Sequence, residues 1–268
     1  MRQSRGAAAA VPLKSINEWD AVEMKQIERF RVNSHDMDFN GVASASSVLR
    51  YLQETANLQH YRHGPTTDDL RRENKAFIVS KLTLNIYRPL RSFDEITVES
   101  WLCKTRAMSF LRCGRILRDG LPVAELFSQW ALVDTRSHRL LRADDIKLGF
   151  GFDEPLEMEP PPRILIPQTV TLTLAGEHTV SYAEVDQNRH MNNTRYLDMF
   201  CGYIPSMEKK MVVSATISYH SEAPLGETVR VYRHCNELDD IYYFRTLREG
   251  DSVNAEALIR LDDLDAVR

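Results

Sequence analysis

The sequence predicts an α+β protein built from two copies of one unit. Each copy is a strand, one helix and about four antiparallel strands, and the copies share one antiparallel sheet with both helices packed on it. Three observations predict this. First, Asp38-x-Asn40-Gly-Val42 is answered 148 residues later by Asp186-x-Asn188-x-His190, and each leads into a similar helical core, Leu49-Arg-Tyr51-Leu52 and Thr194-Arg-Tyr196-Leu197. Second, Leu84-Asn-Ile-Tyr87-Arg-Pro-Leu90 is answered 132 residues later, in the same chain order, by Thr216-Ile-Ser-Tyr219-His-Ser-Glu222. The two offsets leave 16 additional residues between helix and next strand in the first copy. Third, Pro155, Pro160, Pro161, Pro162 and Pro167 crowd one segment between the copies. Proline at that density excludes helix interiors and central strands and favours extended chain. The expected organisation is a first unit over 22–145, a proline-rich linker over 146–174 and a second unit over 175–265.

Each element has a local reason. In the first copy Ser44 or Ser46 caps a helix running to about His63, with Val48, Leu49, Leu52 and Ala56 as its apolar stripe. The polar stretch 59–75, with Gly64-Pro65, suits an added loop or short helix. Alternating apolar residues predict strands over 77–87, 95–102, 108–117 and 123–133, with turns at Lys104-Thr-Arg and Asp119-Gly120. In the second copy the pattern predicts a strand over 179–182, then a helix over 194–203 capped by Asn192 or Asn193. Strands over 211–219, 228–235, 241–248 and 253–261 follow, with Glu249-Gly250-Asp251 as a turn.

Composition excludes several classes of function. The 268 residues carry 34 Lys+Arg against 38 Asp+Glu, a net charge of -4. That balance gives neither the basic footprint of a nucleic-acid binder nor a polybasic membrane surface. No apolar run reaches the about 18 residues needed to span a bilayer. The four cysteines form no CxxC pair and read as reduced thiols. His35, Asp36 and Asp38 on one loop do not define a metal geometry, and no Gly-rich phosphate loop or Gly-x-Ser-x-Gly elbow occurs. No cofactor and no metal are expected. The Arg136–Arg142 run and the group Arg71, Arg72 and Lys75 read as solvated faces, or as a surface for an acidic partner. Residues 1–15, with two Arg and four successive Ala, read as a frayed terminus or a transit-peptide remnant.

Reactive groups concentrate in the second copy. Asp186, Asn188 and His190 precede its helix, and Glu222 stands where a strand ends. In the first copy Val42 takes the place of His190, and Leu90 that of Glu222. Asp-x-Asn alone is ordinary turn chemistry, and Asn192-Asn193 is a helix cap. The presence of His190 and Glu222 in one copy of the repeat alone points instead to one reactive centre, with the other copy supplying apolar surface. A helix N-terminus near His190 favours a developing oxyanion, Asn188 can donate to a carbonyl or hold water, and Asp186 or Glu222 can orient His190 or deprotonate water.

Two segments carry a family resemblance: Arg31-Val through Asp38-x-Asn40-Gly with Leu52-Gln-Glu-Thr-Ala56, and Asp186-x-Asn188-x-His190-Met-Asn-Asn193-x-x-Tyr196. Over about residues 22–265 the chain resembles the acyl–acyl carrier protein thioesterases of plants and bacteria. The resemblance implies a tandem hot-dog fold, an acyl chain held largely in the N-terminal unit, and hydrolysis of fatty acyl thioesters borne by acyl carrier protein. Motif by motif it lays the catalytic constellation on Asp186, Asn188, His190 and Glu222. It implies a cytoplasmic or plastid enzyme, monomeric through its internal pseudo-dimer or homodimeric. Plant members often carry a cysteine after the glutamate; here Ala223 stands there, so direct attack by water is expected. The alternatives are a thioesterase for acyl-coenzyme A, a hot-dog hydratase, against which His190-Met-Asn-Asn speaks, and a non-catalytic acyl- or carrier-binding protein.

Overall fold

The computed structural model describes residues 24–104, 107–163, 165–236 and 240–267. The first copy comprises β1 (Lys25–Arg31), α1 (Ala45–His63), α2 (Thr67–Arg72), β2 (Lys75–Ile86), β3 (Glu95–Leu102), β4 (Phe110–Arg118), β5 (Leu121–Asp134) and the short β6 (Leu140–Leu141). The second comprises β7 (Thr173–Thr179), α3 (Arg195–Cys201), β8 (Lys210–Tyr219), β9 (Thr228–Asn236), β10 (Ile241–Leu247) and β11 (Val253–Asp263). The strands form one sheet in the order β1-β3-β4-β5-β2-β8-β11-β10-β9-β7, with β6 beside β5. That order reads the same from either end when the copies are exchanged, and each neighbouring pair is antiparallel.

A pseudo-two-fold axis therefore crosses the β2–β8 seam, where Thr83 pairs with Thr216 and their Oγ1 atoms lie 3.1 Å apart. The same axis passes between the helices. Ser46 Oγ donates to Thr194 O at 2.9 Å, and Arg50 Nη1 lies 3.6 Å from Asp198 Oδ2; each pair joins residues 148 positions apart. One apolar core runs through both copies, from Leu52, Leu84 and Ile116 to Leu197, Phe244 and Ile259. Helix and sheet approach closely at Gly114, where an added Cβ would sit 2.8 Å from Leu52 Cδ2.

Local signals act as expected at several ends. Ser44 caps α1, accepting from Ser47 N at 3.1 Å, and the Val48, Leu49, Leu52 and Ala56 stripe is buried. Asp119 and Gly120 both have positive φ, 54° and 76°, the backbone a two-residue hairpin turn requires. The additional residues of the first copy lengthen α1 and build α2, which Thr66 caps.

Four expectations are corrected. The strand expected over 179–182 ends at Thr179, because Ser181 and Glu184 close a 3-10 turn over Tyr182–Glu184. Helix α3 spans seven residues, starting at Arg195 and stopping before Gly202, with Asn192 Oδ1 accepting from Thr194 N ahead of it. The backbone pairing also moves the repeat by one residue. Ala43 N donates to Leu90 O as Met191 N donates to Ala223 O, both at 2.8 Å, so Leu90 matches Ala223 and Pro89 takes the place of Glu222. The fourth concerns the linker. Its start docks across the outer face of the first copy, where Trp101 Nε1 donates to Glu154 O at 2.8 Å. Leu156 is buried there with Trp101, Cys103, Cys113 and Phe127, an apolar face that needs cover, and β7 already begins at Thr173. The turn expected at Lys104-Thr-Arg reaches residues 105–106, which lie outside the described residues, as do residues 1–15.

Gly149 anchors this docked segment against the end of α1, since a Cβ there would fall 1.7 Å from His63 O, a backbone atom that cannot turn aside. Gly149→Ala is expected to destabilise the fold by about 1–3 kcal/mol, the cost of overpacking. Thermal unfolding followed by circular dichroism checks this; at roughly 2–4 °C per kcal/mol for a chain of this size, an unchanged midpoint rejects it.

Candidate active site

The second-copy loop is a tight hairpin held by its own backbone. Asp186 N donates to His190 O at 3.0 Å, Arg189 N to Asp186 O at 2.9 Å, and Val185 pairs with Met191. The Asp186 carboxylate accepts from Asn188 N at 2.8 Å, an Asx turn, and Arg189 adopts φ +68°. The loop is then fastened to the corner after β8: Met191 N donates to Ala223 O, and His190 forms a bridge with Pro224.

That fastening brings two of the four sequence-predicted site residues into contact. His190 Nδ1 lies 3.2 Å from Glu222 Oε2, with the side chains 33% and 65% exposed, within reach of a bound substrate. Carboxylate oxygens accept, so Nδ1 is the ring nitrogen that donates to Glu222, and Nε2 is left outside that contact. Asp186, by contrast, uses its carboxylate to hold the loop, as Asp38 does through Asn40 N at 2.8 Å in the first copy. Of the two carboxylates, Glu222 is the one in contact with the His190 ring. The helix behind the loop is short, and Met191–Thr194 separate it from His190, which leaves little of the dipole expected there.

The two asparagines diverge. In the first copy Asn40 is locked: Nδ2 donates to Met207 O and Lys210 O, and Oδ1 accepts from Lys209 N, all at 2.9 Å. Asn188 is exposed, and its Oδ1 accepts from Arg71 Nη2 at 3.4 Å. The segment after α3 is short enough to close over Asn40, whereas the longer first-copy insertion stands off and extends only the Arg71 side chain. Arginine has donors alone, so the amide edge it meets is Oδ1, and the Nδ2 donors face elsewhere.

Two residues here were not singled out for this role from the sequence. Arg71 read as a solvated face. Asn254, on β11, had no signal at all; it is fully buried behind the Glu222 corner. Its Nδ2 donates to Ser221 O at 2.6 Å and to Tyr196 Oη at 3.0 Å, and its Oδ1 accepts from Thr246 Oγ1 at 2.9 Å. Its backbone carbonyl accepts from His220 N and Ser221 N. The residue before Glu222 is thus pinned from inside the sheet.

The thiols are placed elsewhere. Cys103 and Cys113 touch on the outer face, 3.4 Å between sulfurs, and the Cys113 thiol together with burial pushes Cys103 up. Burial pushes Cys201 up to about 12, and the residue after Glu222 is a buried alanine. A raised thiol is a poor nucleophile. Asp36 accepts from Tyr51 Oη at 2.6 Å and Asp38 from Asn40 N in its own turn, so both carboxylates of this loop are spent internally. Among the described residues no group of three metal-ligating side chains converges, and no helix is long and apolar enough to cross a membrane.

In the first copy the equivalent place is a cavity of about 260 Å³, mostly apolar where Val42, Leu197, Cys201 and Met211 line it and polar at Asp38 and Asp198. The pseudo-axis carries Val42 to His190, and Leu197 and Cys201 to Leu49 and Gln53 of α1. A polar groove of about 580 Å³ borders the other side of the loop, between Val185 and Asn192 and the Arg50 and Gln53 side of α1.

A duplicated antiparallel sheet with its paired helices defines a tandem hot-dog protein. A crystal structure of an acyl-ACP thioesterase from Bacteroides thetaiotaomicron superposes with a TM-score of 0.80 at 17% identity, covering 89% of this chain and 98% of that one. The 12:0-ACP thioesterase from Umbellularia californica gives 0.72 at 18%, covering 89% and 94%. Residues 23–147 match the acyl-ACP thioesterase N-terminal domain and residues 169–262 its C-terminal domain. The chain belongs to the acyl-ACP thioesterase family. An Arabidopsis thaliana relative, oleoyl-acyl carrier protein thioesterase 2, chloroplastic, is 24% identical over 228 residues, which cover 75% of this chain and 60% of that protein. The chain spans about 60% of the length of such relatives.

Proposed function

We propose that this chain hydrolyses fatty acyl thioesters borne by acyl carrier protein, releasing a free fatty acid and the carrier thiol and so ending chain growth. The observation that carries the reading is the contact of His190 with Glu222, 3.2 Å apart, at the one loop of the pair that is left open. Water attacks the thioester carbon while its proton passes to His190 Nε2. Glu222 holds the other ring nitrogen and stabilises the imidazolium. The carbonyl oxygen becomes an oxyanion facing the Asn188 Nδ2 donors. Collapse expels the carrier thiolate, which takes the proton back from His190, so the enzyme ends the cycle in its starting protonation state and the fatty acid gives up its own proton to water. No acyl-enzyme forms. Asp186 acts by keeping Asn188 and His190 on one rigid turn. The C-terminal unit supplies this chemistry and the N-terminal unit the acyl site, within a reducing compartment that suits four free thiols.

The test is release of free fatty acid from acyl carrier protein thioesters by the purified chain, set beside the same acyl groups on coenzyme A. The expected result is a higher kcat/KM on the carrier protein. Faster hydrolysis of the coenzyme A thioesters assigns the other carrier, and binding without hydrolysis of either rejects the enzyme reading. Arg71 gives a further prediction. An exposed hydrogen bond is worth about 0.5–1.5 kcal/mol, so Arg71→Ala is expected to lower kcat about two- to tenfold with less effect on KM. A KM effect alone would mean that Arg71 binds the carrier and does not orient Asn188.

A further inference from the structure

The inner face of β4 follows an apolar course, Ile116 and then Phe110, broken by one charge, Arg112. Its guanidinium is buried, with the residue 5% exposed, and no carboxylate pairs with it among the described residues. Its partners are neutral acceptors: Nη1 donates to Gln59 Oε1 and Ser100 Oγ, both at 2.9 Å, and Nη2 faces His60 Nε2 at 3.4 Å. His60 Nδ1 meets the Pro65 carbonyl at 3.2 Å, so the proton sits there and Nε2 is the acceptor. Burial and the neighbouring guanidinium push His60 down to about 4, so it stays neutral and brings no second charge. These contacts use three of the five guanidinium N–H groups. A buried cation held by neutral groups alone is costly, and an anion is its natural complement.

Arg71 of α2 touches Asn188, and the adjacent Leu70 is buried with Leu102, Phe110, Leu132 and Phe150. The Arg112 guanidinium lies over the Phe150 ring, 5.8 Å from its centroid. Leu70, Phe110 and Phe150 thus connect the helix whose Arg71 touches the loop with the buried charge. Along α1, from Gln53 beside the loop to Gln59, the rise is about 9 Å at 1.5 Å per residue. That span suits a medium-length acyl chain with one end at His190.

We propose that Arg112, with Gln59, His60 and Ser100, forms a polar terminus of the acyl site that takes an oxygen acceptor at the far end of the acyl chain, a carboxylate best of all. The proposal rests on the thioesterase reading above and names its substrate class: medium-length acyl groups with an oxidised ω-end. An all-hydrocarbon chain long enough to reach Arg112 would press its methyl end against the charge and leave the free N–H groups unsatisfied.

The test uses the full chain and carrier-protein thioesters matched in length, ending in methyl, hydroxyl or carboxylate. The wild type is expected to prefer the carboxylate-ended chain over the methyl-ended chain by at least about tenfold in kcat/KM at one length, with hydroxyl between. In Arg112→Met that ratio is expected to fall to about one, and Arg112→Lys to keep part of it. A wild-type preference for the methyl end at every length overturns the proposal, as does the same ratio in wild type and Arg112→Met. If Arg112→Met does not fold, the wild-type ratio and Arg112→Lys decide. If no thioester is hydrolysed, the enzyme reading fails separately. The intact thioesters then serve as ligands in calorimetry, where equal affinity for methyl and carboxylate ends rejects the polar terminus by itself.

Discussion

His190→Ala is expected to lower kcat by about 10²–10⁴-fold, the range in which a positioned acid–base group contributes, with a modest change in KM. The contact geometry gives this number its reasoning. Glu222 binds one ring nitrogen at 3.2 Å, which leaves the other as the base; without the ring, water must attack unassisted. Glu222→Gln is expected to be milder, about ten- to hundredfold, because the ring remains while its tautomer and charge lose support. The carboxylate is well exposed, so water replaces part of what it gives. The double variant is expected to be little worse than His190→Ala alone, since Glu222 acts through the ring. Steady-state release of fatty acid by the four proteins checks this. Equal activity of His190→Ala and wild type would remove His190 from the reaction, and losses that simply multiply would mean that Glu222 does not act through the ring. Asp186→Asn is a useful companion, since an amide oxygen still accepts from Asn188 N; a small loss is expected if Asp186 only holds the turn, and a loss as large as that of His190→Ala would make it a base.

Much of the architecture was written in repeat and periodicity. Two motifs in the same order predicted the duplication, and a duplicated unit with one lone helix leaves few ways to bury both stripes, so the palindromic sheet follows. The candidate residues were legible for the same reason: the first copy served as a control, and the second differed from it at His190 and Glu222. The rest depended on what cannot be read along one chain. Pairing Leu90 with Glu222 was off by one, because the matching tyrosines Tyr87 and Tyr219 are not structural equivalents: Tyr87 N donates to Val123 O as His220 N donates to Asn254 O, and the carbonyls of Leu90 and Ala223 accept equivalent amides. The prolines announced extended chain but not the apolar face of Trp101 and Phe127 that it covers. Ser181 and Glu184 form a capping box, stronger locally than the short apolar run that suggested a strand. Asn254 and Arg112 are lone polar residues inside strands, with partners tens of residues away. No period or motif marks such residues, and only their burial among polar partners gives them meaning.

Asn254 is where fold and site are most tightly joined, and its replacement is expected to have the largest effect on stability. The side chain is fully buried and makes three hydrogen bonds, to Ser221 O, Tyr196 Oη and Thr246 Oγ1. Asn254→Leu removes both amide donors and the acceptor together. The Ser221 carbonyl and the Tyr196 hydroxyl then face an alkyl group, each at a cost of about 1–3 kcal/mol for a buried polar group left unpaired. A total loss of about 3–4 kcal/mol is expected, which lowers the thermal midpoint by roughly 6–16 °C in a chain of this size. Thr246→Val cuts one of these bonds and the one that Thr246 Oγ1 accepts from Ala255 N at 3.0 Å, but leaves Ser221 held, so about 1–3 kcal/mol is expected. Activity separates a purely structural role from one that reaches the site. Ser221 precedes Glu222, so freeing its carbonyl lets the carboxylate swing away from His190. Assayed well below its midpoint, Asn254→Leu should therefore lose kcat about as far as Glu222→Gln does, while Thr246→Val should lose far less. Asn254→Asp sharpens the comparison, because it keeps the shape but turns an oxygen toward the Ser221 carbonyl, and it should fall with the leucine variant in both measurements. If folded Asn254→Leu and Asn254→Asp retain wild-type kcat, the corner carrying Glu222 is held by its backbone alone, and the link drawn from β11 to the reacting pair is wrong.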